Sequence, residues 1–378
     1  MTEGLKARIV ENLAETETKN LTRKLVSPKG HDFSSNDFLC LANDERLISA
    51  AITFVANNGL GATGSRLLRG ERDIFADVEN QFANFKRTES ALYFSSGFQA
   101  NIGVLQTFLE PDDVVFSDEL NHASLIDGIR LSKCRKIIFN HLDIEQVEKH
   151  LRQTDCRGQK FLVTESLFSM NGDIAPLRDY AEICRKTNTN LIVDEAHAVG
   201  VYGLRGSGLI EQNGIDEQVF LSINTAGKAF GVSGAFVAGD DITINYLINK
   251  CRSFIFSTAP MPAAAAALKV AIEIVENERD KRENLLNSSR FFRHLLAENS
   301  IDVTFDDSQI IPIVIGDSGK TLKIAQMMQS QGFDVRAIRP PTVPVGTSRL
   351  RVSLNVGLTR EILTDFVVKL SEAIKNCK

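Results

Sequence analysis

The apolar run Leu191-Ile-Val closes on Asp194-Glu-Ala-His197, and a lysine framed by small residues follows in Thr225-Ala-Gly-Lys228-Ala-Phe-Gly231. A strand-end carboxylate three residues from an imidazole lets both side chains face one ligand above a sheet edge. An amine among Gly and Ala can be approached by a bulky planar group. Together they suit carbanion chemistry. The carboxylate keeps a pyridine nitrogen protonated, the ring accepts electrons from the substrate, the imidazole bonds a ring hydroxyl, and the lysine forms a Schiff base. These are the requirements of pyridoxal phosphate (PLP). Asp-x-x-His alone is more readily a helix-capping aspartate beside a packed histidine, and a lone lysine is usually a solvated charge.

Other residues bear on the same ligand. Ser95-Ser96-Gly97-Phe98-Gln99-Ala-Asn101 follows the apolar run Ala91-Leu-Tyr-Phe94 and opens a helical stretch. A strand, a glycine turn and a helix start present backbone N–H groups to a phosphate, and a plain helix cap has the same pattern. Thr225, one helical turn before Lys228, is a further phosphate donor. His122, after another apolar run, can stack on a planar cofactor or be a packed structural histidine. Arg349 and Arg351 sit two apart in Ser348-Arg-Leu-Arg-Val-Ser-Leu354, so both point to one strand face and suit bidentate capture of a carboxylate, unless that strand is an exposed edge. Gly59-Leu-Gly61-Ala-Thr-Gly64 matches a dinucleotide pattern, but residues 44–58 before it have helical rather than strand periodicity, so it is set aside.

The elements that must carry these residues alternate. From 45 to 270, helical stretches separate short runs rich in β-branched and aromatic residues: 91–94, 113–116, 136–139, 161–164, 191–194, 219–222 and 234–237. That alternation predicts an α/β domain with a mostly parallel sheet covered on both faces, and its sites at the strand C-terminal ends. Residues 3–26 read as an N-terminal helix before the breaker Ser27-Pro28-Lys29-Gly30. One long helix is expected from Pro262 to about Glu298. The rest, with apolar runs 310–315, 333–336 and 350–354 and helices near 319–330 and 360–376, reads as a small α+β domain. The expected boundaries are an N-terminal helix and turn over 1–44, a large domain over 45–270 and a small C-terminal domain over 271–378.

Composition narrows the class. A chain of 378 residues with 43% hydrophobic and 24% charged residues is an ordinary globular protein. A net charge of -5 with both signs interspersed argues against a nucleic-acid partner. Six scattered cysteines without a Cys-x-x-Cys pair suggest neither a disulfide framework nor a zinc site. No stretch has signal-peptide or membrane-span character, so a cytoplasmic protein without membrane contact is expected.

Taken together, the chain resembles the α-oxoamine synthase family of PLP enzymes over nearly its whole length. The landmarks are Phe33-Ser-Ser-Asn-Asp-Phe38, Gly64-Ser-Arg-Leu67, Ser96-Gly-Phe98, His122-Ala-Ser124, Thr164-Glu-Ser-Leu-Phe-Ser-Met170 with Asn171-Gly-Asp173, Asp194-Glu-Ala-His197, Gly227-Lys-Ala-Phe-Gly231 and Phe256-Ser-Thr258. The resemblance implies the aminotransferase-like fold (fold type I). It implies Lys228 as the Schiff-base lysine and catalytic base, Asp194 at the pyridine nitrogen, and His197 and Ser169 at the cofactor's polar substituents. Gly97, Phe98 and Thr225 would hold the phosphate, and His122 would stack on the ring and meet substrate. Arg351 would bind the amino-acid carboxylate, and Arg23 and Thr342 would contact substrate. Ser257 and Thr258 would reach the phosphate in the neighbouring subunit, which implies a homodimer with sites at the interface. Within the family, Ala337 to Arg351 is most similar to members that condense L-alanine with a pimeloyl thioester on coenzyme A or a carrier protein. Another amino acid and acyl pair, such as glycine with acetyl-CoA, and a non-catalytic PLP-binding protein are the alternatives. Phe75 and Leu358 stand where the family often has histidine, and Asn171 where it has aspartate.

Overall fold

Seven short runs join into one sheet: β1 (Ser90–Phe94), β2 (Val114–Asp118), β3 (Arg135–Phe139), β4 (Lys160–Glu165), β5 (Thr189–Asp194), β6 (Leu221–Thr225) and β7 (Ala235–Gly239). Their spatial order is β1-β7-β6-β5-β4-β2-β3, all parallel except β7, which pairs antiparallel with both β1 and β6. Leu92, Val115, Val163, Ile192, Ile223 and Val237 are all buried in one apolar cluster, as helix-covered strands require. Parallel pairing brings the C-terminal ends of β2, β4, β5 and β6 to one sheet edge, where Asp118, Glu165, Asp194 and Thr225 stand.

The structure, a computed structural model, describes residues 1–304 and 307–377. It divides into two compact units, one of residues 36–169 and 173–283, the other of residues 1–35, 170–172 and 284–377. The first contains the seven-stranded sheet.

In the second unit, β8 (Ile310–Gly316), β9 (Arg336–Ile338) and β10 (Ser348–Ser353) form an antiparallel sheet in the order β9-β10-β8. His31–Asp32 pairs in parallel with Phe333–Asp334, and Phe33 stacks on Phe366 with ring centroids 4.2 Å apart. The helices Ser318–Ser330 and Arg360–Asn376 belong to this unit.

Four expectations need correction. The N-terminal helix ends at Thr18, because Asn20 turns left-handed at φ 55°, so residues 21–26 are not helical. The stretch from Pro262 to Glu298 is two helices, Pro262–Asn277 and Arg279–Glu298, broken at Glu278 (ψ 58°), whose carboxylate meets Arg46 at 2.5 Å and Lys281 at 2.8 Å. The run at 219–222 joins the sheet two residues late, as 221–225. Thr225 and Lys228 are not a helical turn apart, since Thr225 ends β6 and residues 226–231 form a tight turn.

Candidate active site

Lys228 sits on a loop tied at both ends. The Ala226 N–H donates to Gly234 O at 2.9 Å, Val232 N–H to Ala226 O at 3.0 Å and Gly231 N–H to Lys228 O at 2.9 Å. At Gly231, φ is +68° and a Cβ would lie 2.4 Å from the Ala42 nitrogen, so this turn requires glycine. The Lys228 Nζ lies 2.7 Å from His197 Nε2.

Asp194 ends β5, buried, with Oδ1 accepting from the Ala196 N–H at 2.8 Å and Oδ2 from Asn101 Nδ2 at 2.7 Å. The same Asn101 amide donates to Ser124 Oγ at 2.8 Å, and Ser124 Oγ lies 2.7 Å from His122 Nδ1. A continuous chain of bonds thus joins Asp194 to His122 through two fully buried residues, Asn101 and Ser124. His122 caps the Ala123–Ser132 helix, its Nδ1 accepting from the Ser124 N–H. Burial, aided by the Lys228 charge, lowers the His122 pKa against the opposing pull of Asp194, so the imidazole is neutral at pH 7.

Glu165 lies beside Asp194 as its register partner across β4 and β5. Burial first, and the Asp194 charge second, raise its pKa to about 8.

Beyond β1, Ser96 accepts from the Gln99 N–H at 3.2 Å and caps the Gly97–Phe108 helix. The N–H groups of Gly97 and Phe98, in the first turn, have no acceptor within the helix. A Cβ on Gly97 would lie 3.5 Å from Thr225 Oγ1, so the helix start and the Thr225 hydroxyl converge. The Phe98 ring lies edge-on to His122 with centroids 6.4 Å apart. Ser169 is half-buried in the loop that follows β4.

These residues fit PLP: a helix start with first-turn N–H groups beside a hydroxyl, a buried carboxylate, an imidazole against the lysine amine, and a neutral histidine. Ser257 and Thr258 precede the Pro262–Asn277 helix, and neither side chain makes a hydrogen bond among the described residues. Arg23, Thr342, Arg349 and Arg351 belong to the second unit, where Arg23 Nη2 lies 3.4 Å from Thr342 Oγ1. Arg349 and Arg351 are both buried, on the central strand β10 rather than an edge. Arg349 bonds Asn171 and the carbonyl of Met170, while Arg351 Nη1 donates to Ser353 Oγ at 3.2 Å. Of the departures, Phe75 is buried against Arg66, 4.8 Å from its ring centroid, and Leu358 is buried in the second unit.

Asn101 and Ser124 escaped the sequence reading as site residues. The available signal was spacing: Asn101 is one helical turn after Gly97, on the same face.

The fold and these residues define a PLP-dependent enzyme. The sequence pattern of the family Aminotransferase class I and II matches residues 28–370, and the chain belongs to that family. It is 39% identical to an 8-amino-7-oxononanoate synthase of Lysinibacillus sphaericus, covering 97% of each chain. Its structure is similar to the 8-amino-7-oxononanoate synthase of Francisella tularensis, with a TM-score of 0.80 and 30% identity over 92% of this chain and 98% of that one. A serine palmitoyltransferase from S. paucimobilis, solved with bound PLP and myriocin, superposes with a TM-score of 0.90 at 26% identity, over 99% of this chain and 98% of that one. Within the family the chain is a PLP-dependent acyltransferase of the α-oxoamine synthase type.

Proposed function

We propose that this enzyme condenses L-alanine with a pimeloyl thioester, releasing carbon dioxide and the thiol and forming 8-amino-7-oxononanoate for biotin synthesis. The observation that carries the reading is the Lys228–His197 pair together with the bonded chain Asp194, Asn101, Ser124 and His122, in a chain 39% identical to a synthase of that name.

PLP, when bound, supplies the electron sink that makes a carbanion at the alanine Cα accessible. Lys228 would anchor the group through Nζ, and the same amine would take up the alanine Cα proton and later return a proton. Asp194, its two oxygens bonded by the Asn101 amide and the Ala196 N–H, would face the pyridine nitrogen and keep it protonated. His197 and Ser169 bond the polar substituents of the ring. His122, neutral, would stack on the cofactor without adding positive charge to it, and would contact substrate. The N–H groups of Gly97 and Phe98 and the Thr225 hydroxyl bind the phosphate. Arg351 takes the alanine carboxylate in a bidentate pair, and Arg23 and Thr342 contact the acyl substrate.

The reading includes a cytoplasmic homodimer with its sites at the interface, Ser257 and Thr258 reaching the partner's phosphate. Exposed Leu60, Leu67, Leu68 and Phe256 support a buried partner face there. A carrier protein is a possible acyl donor in place of coenzyme A. The likeness to a serine palmitoyltransferase keeps a second reading in view, a different pair such as glycine with acetyl-CoA. Thiol release from a panel of acyl-CoA and acyl-carrier substrates, with alanine, glycine and serine, separates them. Failure with every pimeloyl donor sinks the assignment, and failure with every donor favours a non-catalytic PLP-binding protein.

A further inference from the structure

His141 lies outside the set just described, in the turn after β3. Its Nδ1 is 2.9 Å from Asp118 Oδ1 and its Nε2 is 3.0 Å from Asp173 Oδ2. Both partners accept only, so both ring nitrogens must carry a proton, and the imidazole is a cation. A neutral ring would turn one lone pair on a carboxylate.

The two partners differ in what they hold. Asp118, buried at the end of β2, also accepts the N–H groups of Leu120 at 2.8 Å and Leu142 at 3.1 Å. It is part of the rigid sheet edge. Asp173 is in the loop Ser166–Ala175. That loop closes on itself through Phe168 N–H to Asp173 O at 2.9 Å and Ala175 N–H to Ser166 O at 3.0 Å, and it is rooted by Ser166 N–H to the Asp194 carbonyl at 2.8 Å. Phe168, which precedes Ser169, stands edge-on over the His141 ring with centroids 4.4 Å apart. One imidazolium therefore joins the sheet edge to the loop that carries Ser169.

We propose that His141 is a positioning residue of the cofactor pocket, a cationic clamp between Asp118 and Asp173 that fixes the loop presenting Ser169. This rests on the reading that Ser169 meets PLP. The groups facing the clamp are all acidic. Asp118 and Asp173 bond the ring, and Glu119 accepts the His141 backbone N–H at 3.0 Å. Burial, with the charges of Asp118, Asp143 and Asp179 adding to it, raises the pKa of the Tyr180 phenol. Against the cost of burial, the two aspartates raise the His141 pKa to about 9, so the clamp is closed at pH 7 and opens in alkali.

The test compares wild type with His141→Gln, Asp173→Asn and Ser169→Ala, reading PLP affinity by absorbance titration and amide exchange of Phe168 and Ala175 in the protein without PLP. His141→Gln is expected to speed that exchange at pH 7 by about tenfold and to weaken PLP by a similar factor, with Asp173→Asn following it. In wild type the same exchange, corrected for its intrinsic rate, rises as pH passes about 9, and in His141→Gln this rise is absent. Exchange and affinity within twofold of wild type in His141→Gln overturn the proposal. So does a loosened loop with unchanged PLP affinity. If Ser169→Ala binds PLP as wild type does while His141→Gln weakens it, the Ser169 reading fails and the clamp stands. Should His141→Gln not fold, NMR titration of the wild-type imidazole decides: a pKa at or below the ordinary histidine value overturns the clamp, and one near 9 supports it.

Discussion

Replacing Lys86 with methionine tests whether the turn that carries Asp194 and His197 is held by a buried ion pair. The Lys86 and Glu195 side chains are 2% and 0% exposed, and Lys86 Nζ donates to Glu195 Oε2 and to the Ser207 carbonyl, each at 2.6 Å. Glu195 follows Asp194, and its Oε1 accepts the N–H groups of Leu209 at 2.6 Å and Ile210 at 3.0 Å. Removing one partner of a buried pair costs about 3–5 kcal/mol, because the other charge is stranded. Lys86→Met leaves the carboxylate two backbone donors, so its cost falls near 3 kcal/mol. Glu195→Leu strands the ammonium and two N–H groups together, and falls near 5 kcal/mol. The double variant strands no charge and leaves only the Leu209 and Ile210 N–H donors and the Ser207 carbonyl without their side-chain partners, so it costs about 3–4 kcal/mol rather than the sum of about 8. Urea unfolding with linear extrapolation measures all three. A Lys86→Met cost under about 1 kcal/mol, or a double variant equal to the sum of the singles, would refute the reasoning.

Other outcomes follow from the same site. Asn101→Leu removes a donor to an ionised carboxylate, worth about 1.5–3 kcal/mol, so PLP affinity should fall roughly tenfold to a hundredfold in an absorbance titration. An unchanged affinity would show that Asn101 does not support Asp194. Asp194→Asn should still take up PLP yet lose exchange of the alanine Cα proton in heavy water, followed by NMR, and undiminished exchange would remove Asp194 from its role. Glu165, whose pKa rises to about 8 on folding, binds its proton more tightly folded than unfolded. Its stabilising contribution is full below the ordinary glutamate range and declines as pH rises through about 8, so Glu165→Gln should gain stability over wild type at pH 8 and little at pH 4. Melting temperatures at the two pH values that move in parallel would contradict this.

Much of the frame was legible in the chain. The runs that became the inner strands are short, apolar and β-branched because helix-covered strands are buried on both faces, and that local signal survives into the sheet. Asp194, His197 and Lys228 could be picked out because strand ends and glycine-framed turns are marked by neighbours in sequence. Asn101 was marked only by its spacing from Gly97, and Ser124 and His141 not at all, because the partners lie 93, 23 and 32 residues away for the bonds to Asp194, Asn101 and Asp173, and only the topology brings them together. The break at Glu278 was hidden for a similar reason. Nothing near it in sequence forbids a helix, whereas Arg46, from a helix 232 residues distant, bonds its carboxylate. Lys86 and Glu195, 109 residues apart, are likewise paired and buried only by the fold.

The loop bearing Lys228, bonded at its two ends into the β6–β7 hairpin and seated on Gly231, makes that amine a tethered reagent. On the proposed mechanism it would let go, act elsewhere within reach and come back in each catalytic cycle. With the backbone pinned, that excursion involves only the four torsions of the side chain. The entropy a mobile loop would lose at every turnover is lost here once, when the chain folds.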